Sequence, residues 1–203
     1  MWDERFSEPG FAYGKEPNDF LVSVAGRLKP ESRVLCLGEG EGRNAVWLAQ
    51  RGHRVTAVDL STVGLEKARR LAEARHVTIS TVHADLAAYD LGDAAWDAIV
   101  AIFLHLPPDA RRDLHRGVVQ ALAPGGVFVL EGYATDQLQH GTGGPKNLSM
   151  LLALAELKDQ LAGLELPIAR QVTRGVYEGR YHAGAGAVIQ IVATRPRATP
   201  PTA

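Results

Sequence analysis

Short apolar runs alternate along this chain with segments that have helical spacing. Five runs are apolar or β-branched, as buried strands are, and they lie at residues 34–37, 55–58, 77–82, 98–103 and 127–130. Apolar residues three and four positions apart predict helices at 19–28, 43–51, 63–74, 108–122 and 148–161. This alternation predicts an α/β fold with a doubly wound, mostly parallel sheet and helices on both faces.

The end of the chain departs from that alternation. Two further strands, at about 169–177 and 187–194, are joined by a short polar connection without a helix. A hairpin is the simplest link, so we predict a seven-stranded sheet whose last strand is antiparallel to its neighbours. Residues 1–17 are predicted to be an irregular lead-in and 196–203 a disordered tail, which leaves a single domain over 1–195.

Three glycines, Gly38, Gly40 and Gly42, follow the first predicted strand at alternate positions. A helical segment comes next, and the second strand ends in Asp59. Strand, glycine turn, helix, strand and acid in this order are typical of a nucleotide-binding βαβ unit. The glycines let the chain turn sharply beside a ligand. We expect Asp59 to be exposed at its strand tip and to accept hydrogen bonds from both hydroxyls of a ribose.

The spacing and charge of this loop indicate which nucleotide it binds. A dinucleotide site needs a third glycine at position 43, where this chain has Arg43. The residues between the glycines are acidic, Glu39 and Glu41, and would repel a pyrophosphate. S-adenosylmethionine carries a sulfonium and an ammonium group instead of phosphates, so an acidic loop suits it. An NAD(P)-dependent oxidoreductase is the alternative that these residues disfavour.

Residues 34–61 resemble the first motif of the Rossmann-like S-adenosylmethionine-dependent methyltransferases. HADLAAYDL resembles the third motif, in which Asp85 would face the adenine amino group beside Leu86. WDAIVAIFLHLP resembles the fourth motif, whose strand end faces the methionine part of the cofactor. The resemblance implies S-adenosylmethionine as cofactor and the following binding residues: Gly38, Glu39, Gly40, Gly42, Asn44, Asp59, Leu60, Asp85, Leu86 and Ile102.

Three further segments narrow the resemblance to the bacterial tellurite-resistance (TehB-like) methyltransferases. These segments are YGKEPNDFL, GEGEGRNAVWLA and HGTGGPKNLSMLL. The family usually has an acid two residues before the first glycine, where it helps to hold the methionine moiety, whereas this chain has Cys36. We expect Glu39 or Glu41 to take over the contact with the ammonium group.

The composition bears on partners and location. The net charge is −1 and no basic tract occurs, so nothing favours nucleic acid as a partner. The charged N-terminus lacks the apolar segment of a signal peptide, and no apolar run is long enough to span a membrane. With one cysteine, Cys36, no disulfide can form within the chain, so a cytoplasmic location is the default.

The chemistry of the acceptor is less defined by the sequence. No cysteine or histidine spacing is typical of a metal site, and methyl transfer to a soft nucleophile needs mainly proximity. We therefore expect a small-molecule acceptor such as a thiol or a chalcogen oxyanion, with a non-catalytic S-adenosylmethionine-binding protein as the alternative. No catalytic residue is assigned among the candidates near the expected mouth, which are His105, Glu131, Tyr133, His140, Tyr181 and His182.

A long glycine-rich loop follows the fifth predicted strand. Residues 135–147 contain Gly141, Gly143 and Gly144, and they lie at the carboxyl edge of the sheet, where ligands bind in such folds. Long loops in compact domains often close over a site. We predict that this loop and the segment Tyr13–Gly14 border the acceptor pocket, and that the loop becomes ordered when the cofactor binds. The alternative is a mobile surface connection without a role in the site.

Overall fold

The computed structural model describes residues 2–197, and its centre is one seven-stranded sheet. The strands are β1 (Arg33–Leu37), β2 (Arg54–Asp59), β3 (Ser80–His83), β4 (Trp96–Ile102), β5 (Leu122–Tyr133), β6 (Glu165–Glu178) and β7 (His182–Thr194). Their order across the sheet is β3-β2-β1-β4-β5-β7-β6. The pairs among β1 to β5 are parallel, and β7 is antiparallel to both β5 and β6. The predicted sheet and its antiparallel last strand are confirmed.

Helices cover both faces of this sheet. They are α1 (Trp2–Phe6), α2 (Asp19–Val24), α3 (Arg43–Gln50), α4 (Thr62–Ala74), α5 (Pro108–Ala121) and α6 (Leu154–Gln160). Short 3₁₀ turns lie at Ala25–Arg27, Thr135–Gln139 and Leu148–Met150. Local capping sets several starts: the side chain of Asn18 accepts from the Leu21 amide at α2, and that of Ser61 accepts from the Gly64 amide at α4.

The core is divided by the sheet into two layers. Alternate residues of β1 point to opposite faces, so Leu35 and Leu37 pack in the layer that includes α5 and α6, whereas Val34 and Cys36 pack in the layer of α2 and α3. All four are buried. Burial on both faces explains why the central strands are continuously apolar in sequence.

Two predicted segments differ from the structure. The lead-in at 1–17 is helical over Trp2–Phe6, because Phe6 finds a buried position against the sheet's carboxyl edge. The helix predicted at 148–161 begins only at Leu154. Leu152 instead bonds through its amide to the Tyr133 carbonyl and through its carbonyl to the Thr135 amide. These backbone bonds hold Leu152 alongside the end of β5, and the residues before it form only the short 3₁₀ turn Leu148–Met150.

Within residues 2–197, no helix is both long enough and apolar enough to cross a membrane. Residues 198–203 of the predicted disordered tail (196–203) lie outside the described residues.

Candidate functional site

The carboxyl ends of the parallel strands meet at one edge of the sheet. β1, β2, β4 and β5 all end there, and the antiparallel β7 begins there. This edge therefore collects the glycine loop after β1, Asp59 at the end of β2, the residues after β4, Tyr133 at the end of β5 and His182 at the start of β7. Ligands of open α/β sheets bind at such an edge.

The loop after β1 needs its glycines for two reasons. Gly38 and Gly42 have φ angles of 61° and 91°, in the left-handed region that side chains disfavour. A Cβ on Gly42 would also lie 2.6 Å from the Cβ of Ala68 in α4, and one on Gly38 would lie 2.8 Å from Leu104. The turn therefore packs against α4 on one side and against the segment after β4 on the other.

Glu39 caps the helix that follows this loop. Its Oε1 accepts hydrogen bonds from the amides of Asn44 (2.9 Å) and Ala45 (2.8 Å), because the N-cap residue Gly42 has no side chain to do so. The Cys36 thiol contacts the same carboxylate. Burial raises the pKa of Glu39 to about 7, against the opposing effect of the Ala45 amide. Glu39 thus lies beside Cys36, which stands where the resembled family usually has an acid.

Asp59 is buried, with 7% of its surface exposed, so the expected exposure of this strand tip is wrong. Its Oδ2 accepts from the Gly40 amide (2.7 Å) and its Oδ1 from the Ser61 amide (2.8 Å). Burial raises the pKa of Asp59, and the amides of Ser61 and Gly40 oppose that rise. Asp59 therefore holds the glycine loop and the start of α4 together, while each carboxylate oxygen keeps a second lone pair.

The other residues expected to bind the cofactor differ in how far they are buried. Asp85 is exposed after β3 and accepts from the Ala87 amide, with Leu86 buried beside it. Leu60 is exposed, and its carbonyl bonds to the His83 ring. Ile102 is buried in the core layer of α2 and α3.

Asn44 and Glu41 both accept hydrogen bonds from residues that precede the first strand. Asn44 is buried, and its Oδ1 accepts from the Asn18 amide (2.9 Å). Glu41 accepts from the Ala12 amide (2.7 Å) through Oε2 and pairs with Lys67 (2.9 Å) through Oε1. Because these partners neutralise Glu41, Glu39 is the acid of the loop that remains beside Cys36.

The N-terminal segment, residues 2–14, covers the glycine loop. The Phe6 ring lies so close to Gly40 and Gly64 that a Cβ on either would come within 2.9 Å of it. Lys67 holds the segment by donating to the carbonyls of Glu8 (3.0 Å) and Gly10 (2.7 Å). The sequence offered a weak signal for this cover, namely large aromatic residues such as Trp2, Phe6 and Phe11 among the polar residues of this segment.

An aromatic cluster lies beside the glycine loop at the same edge. We use this name for Tyr13, Phe103, His105, Tyr133 and His182. The Phe103 ring centroid is 4.7 Å from that of Tyr133 and 4.5 Å from that of His182. His182 is 4.7 Å from Tyr13, and Tyr133 is 5.9 Å from His105. Phe103 has a φ of 52°, a strained conformation of the kind that clusters at functional sites.

Two candidate bases at this edge are fully bonded within the protein. His105 bonds through Nδ1 to the Met150 carbonyl (2.9 Å), and its Nε2 accepts from the Tyr133 amide (3.3 Å). Burial lowers the pKa of His105 to about 4, so the ring is neutral. Glu131 is completely buried and accepts from Asn18, Arg174 and Gln190. Both residues therefore have structural contacts at the site, and neither is free to act as a base.

Glu178, which the sequence did not reveal, connects the cluster to the glycine loop. It is buried and pairs with Arg43 (2.6 Å), and it lies 3.6 Å from Nδ1 of His182. Asn18 also donates to it (2.8 Å). Burial would raise the pKa of Glu178, but the nearby His182 ring and the Arg43 guanidinium outweigh burial and hold it at about 2. No local pattern marks this residue, because its partners are distant in sequence.

The remaining candidates lie at the rim. The Tyr181 hydroxyl donates to Glu8 (2.5 Å), which ties the β6–β7 hairpin to the N-terminal segment. His140 follows the 3₁₀ turn Thr135–Gln139 and bonds through its amide to the Gln137 carbonyl. Within residues 2–197, no group of three or more His, Cys, Asp or Glu side chains is placed to hold a metal ion.

Comparison with known proteins agrees with this geometry. Residues 34–126 match the family described as methyltransferase domain. The chain is 35% identical over 118 residues to the tRNA 5-carboxymethoxyuridine methyltransferase of Escherichia coli strain K12, covering 56% of this chain and 45% of that protein. It is 26% identical over 127 residues to a 2-heptyl-1-hydroxyquinolin-4(1H)-one methyltransferase of Mycobacteroides abscessus, covering 61% and 56%. The chain thus spans about half the length of these curated relatives.

The fold as a whole also has solved counterparts. TehB from Haemophilus influenzae superposes with a TM-score of 0.73 at 21% identity, over 88% of this chain and 62% of TehB. Residues 34–126, a little under half of the chain, therefore resemble a methyltransferase domain, and the sheet as a whole has the α/β fold seen in TehB and in S-adenosylmethionine-dependent methyltransferases.

Proposed function

We propose that this protein transfers the methyl group of S-adenosylmethionine to a small-molecule acceptor. The observation that carries the proposal is the carboxylate of Glu39 at the start of α3. In dinucleotide enzymes, free amides at this helix start bind the pyrophosphate. Here the amides of Asn44 and Ala45 both donate to Glu39. A phosphate would meet a carboxylate there, whereas a cation would be attracted to it.

The cofactor placement follows from the same residues. We infer that Glu39 accepts hydrogen bonds from the α-ammonium group of the cofactor, because Cys36 stands at the position of the usual acid. We also infer that the second lone pairs of the Asp59 carboxylate accept hydrogen bonds from the ribose hydroxyls. Asp85 and Leu86, which follow β3, would contact the adenine. The bound cofactor supplies a methyl group on a sulfonium sulfur, and that sulfur is a good leaving group. These residues therefore have only to orient the methyl group toward the aromatic cluster.

We propose that the acceptor binds at the aromatic cluster. The acceptors named for the relatives range from a tRNA uridine to a hydroxyquinolone, so they do not define one class. The resemblance to TehB favours thiols and chalcogen oxyanions as first acceptors to test. The net charge of −1 gives no support for nucleic acid. A cytoplasmic location is part of the proposal, because Cys36 is the one cysteine and is buried.

Calorimetry on the full chain tests the cofactor assignment. Titration with S-adenosylmethionine and S-adenosylhomocysteine should give saturable heat, and titration with NADH should give none. Binding of NADH without binding of either sulfur compound would overturn the proposal in favour of an oxidoreductase.

A second candidate is an S-adenosylmethionine-binding protein without transfer activity. It is favoured by one observation, that His105 and Glu131 are both fully bonded and offer no free base. Incubation with tritiated S-adenosylmethionine and a broad acceptor panel separates the two. Tight binding of S-adenosylhomocysteine without any transfer would support the second candidate.

A further inference from the structure

The aromatic cluster encloses a hydroxyl that has no partner. Tyr133 is completely buried, and its hydroxyl forms no hydrogen bond within the protein. Buried polar groups are almost always paired, so an unpaired one at a candidate site needs a partner that the protein does not supply, such as a water or a ligand. Because burial raises the pKa of Tyr133, this hydroxyl keeps its proton and can donate it to a bound acceptor atom. The cluster therefore presents flat rings and two buried polar atoms without partners, the Tyr133 hydroxyl and Nδ1 of His182.

Most of the charged groups around the cluster form ion pairs within the protein. Arg174 pairs with Glu131 and Glu178, and Arg43 pairs with Glu178. Arg180, at the hairpin next to the cluster, pairs with Glu8. Lys146 of the long loop is exposed. The Nη1 atom of Arg43 is nevertheless buried without a hydrogen-bond partner, so one cationic donor remains beside Glu178 for an anionic oxygen.

The histidines of the cluster are poor proton acceptors. Both ring nitrogens of His105 are bonded within the protein. Burial lowers the pKa of His182, against the opposing effect of Glu178 on the same ring. The groups that face His182 are Glu178, Arg43, Arg174, Tyr13 and Tyr133. An acceptor that has already lost its proton in neutral solution suits this environment better than one that needs a base.

We propose that the acceptor is a planar aromatic compound with an acidic hydroxyl, bound as its aryloxide with the Tyr133 hydroxyl donating to the reacting oxygen. This inference rests on the proposed methyltransferase function and defines its substrate class. The hydroxyl proton passes to solvent before binding. The aryloxide oxygen then forms a bond to the methyl carbon while the sulfur–methyl bond breaks, and the electron pair of that bond remains on the sulfur. The products are an aryl methyl ether and S-adenosylhomocysteine.

Ring shape and hydrogen bonding both favour this class. Aromatic rings pack against one another at centroid separations of 4.5–7 Å, the range found throughout the cluster. A flat acceptor ring can therefore replace a protein ring that moves aside. Gly143 and Gly144 lie against the Tyr133 ring, and their lack of side chains permits such a movement. Oxygen is preferred over sulfur at the reacting position, because sulfur is the weaker acceptor of the Tyr133 hydrogen bond.

The test uses the full chain, tritiated S-adenosylmethionine and acceptors of graded acidity at neutral pH. 4-Nitrophenol and 7-hydroxycoumarin represent acidic aryl hydroxyls, phenol a weakly acidic one, thiophenol an aromatic thiol, and tellurite a chalcogen oxyanion. We expect transfer to the first two, with transfer to phenol slower by about a hundredfold because little of it is ionised. Faster transfer to tellurite or thiophenol than to 4-nitrophenol would overturn the inference.

A variant pair tests the role assigned to the buried hydroxyl. Tyr133→Phe removes only the donor, so the KM for 4-nitrophenol should rise about tenfold while the affinity for S-adenosylhomocysteine stays the same. Tyr177→Phe is the matched control, because Tyr177 is 79% exposed on β6. An unchanged KM in Tyr133→Phe would refute the hydroxyl's role.

Calorimetry with S-adenosylhomocysteine distinguishes a wrong substrate class from a wrong proposed function. If it binds and no aromatic hydroxyl is methylated, the substrate class is wrong while the cofactor assignment stands. If it does not bind, the proposed function fails and the inference fails with it.

Discussion

The Gly40 amide donates a 2.7 Å hydrogen bond to Oδ2 of Asp59, so the acid at the end of β2 holds the loop that follows β1. The two residues are 19 positions apart in the chain. The same carboxylate also accepts from the Ser61 amide at the start of α4. Asp59 thus stabilises the glycine loop, and it is also the residue that we propose binds the ribose.

Asp59→Ala should weaken both cofactor binding and the fold. Loss of a charged acceptor for the ribose should reduce the affinity for S-adenosylhomocysteine about ten- to hundredfold. The Gly40 and Ser61 amides would also lose their acceptor, so the free energy of unfolding should fall by about 1–3 kcal/mol. Calorimetry and urea denaturation measure the two effects. Asp93→Ala, at an exposed position, is the control, and an unchanged affinity in Asp59→Ala would show that the ribose lies elsewhere.

Glu39→Gln should change how stability depends on pH. Burial raises the pKa of Glu39 from 4.5 to about 7, so the folded protein holds this proton more tightly than the unfolded chain does. The stability contribution of Glu39 is therefore complete below pH 4.5 and is lost as the pH rises toward 7. Glutamine does not ionise, so the variant should gain stability relative to the wild type over this interval, as measured by urea denaturation at several pH values.

Cofactor binding provides a second measurement on the same variant. If the Glu39 carboxylate accepts from the α-ammonium group, the affinity of the wild type for S-adenosylhomocysteine should increase as the pH rises through 7, where that carboxylate forms. The affinity of Glu39→Gln should be lower and lack this increase. Glu73→Gln, on the exposed side of α4, should behave as the wild type does. Parallel profiles for Glu39→Gln and the wild type would remove Glu39 from the ammonium contact.

Glu178→Gln should destabilise the protein most strongly near neutral pH. Removing one partner of a buried ion pair costs about 3–5 kcal/mol, and the charges of Arg43 and Arg174 would lose a counterion here. Because the pKa of Glu178 is lowered from 4.5 to about 2, its contribution is present above pH 4.5 and lost as the pH falls toward 2. The difference in unfolding free energy from the wild type should shrink over that interval. Glu165→Gln, exposed at the start of β6, is the control, and a pH-independent difference would contradict this assignment.

Gly144→Ala should be more destabilising than Gly141→Ala. Both glycines have left-handed φ angles, 80° and 67°, so both substitutions carry backbone strain. Only the Cβ on Gly144 would clash, at 2.6 Å from the Tyr133 ring, whereas nothing lies within 4 Å of the Cβ position on Gly141. Overpacking of this kind costs about 1–3 kcal/mol, so urea denaturation should separate the two variants by that amount. Equal stabilities would mean that the loop does not pack on Tyr133 in solution.

Local patterns in the sequence predicted most of the elements at this edge of the sheet. The apolar run before Gly38 and the helical spacing after Gly42 identify a βαβ unit, because periodicity and glycine content act within a few residues. The short polar link before the last strand likewise predicted the antiparallel hairpin, which the pairing of β6 and β7 confirms. The segment after Asn147 misled, since its apolar residues fit helical spacing while backbone bonds to Tyr133 and Thr135 hold it in another conformation.

The sequence by itself determined the fold class, the glycine loop and the acid that follows it, because these depend on the order of short segments along the chain. Only the tertiary structure decided that Asp59 is buried and that Asn18 bonds to Glu131 and Glu178, residues 113 and 160 positions away. It also decided that Glu39 and Glu41 have different partners. Burial and long-range hydrogen bonds arise only when distant segments pack, and no local pattern of side chains specifies which segments will meet.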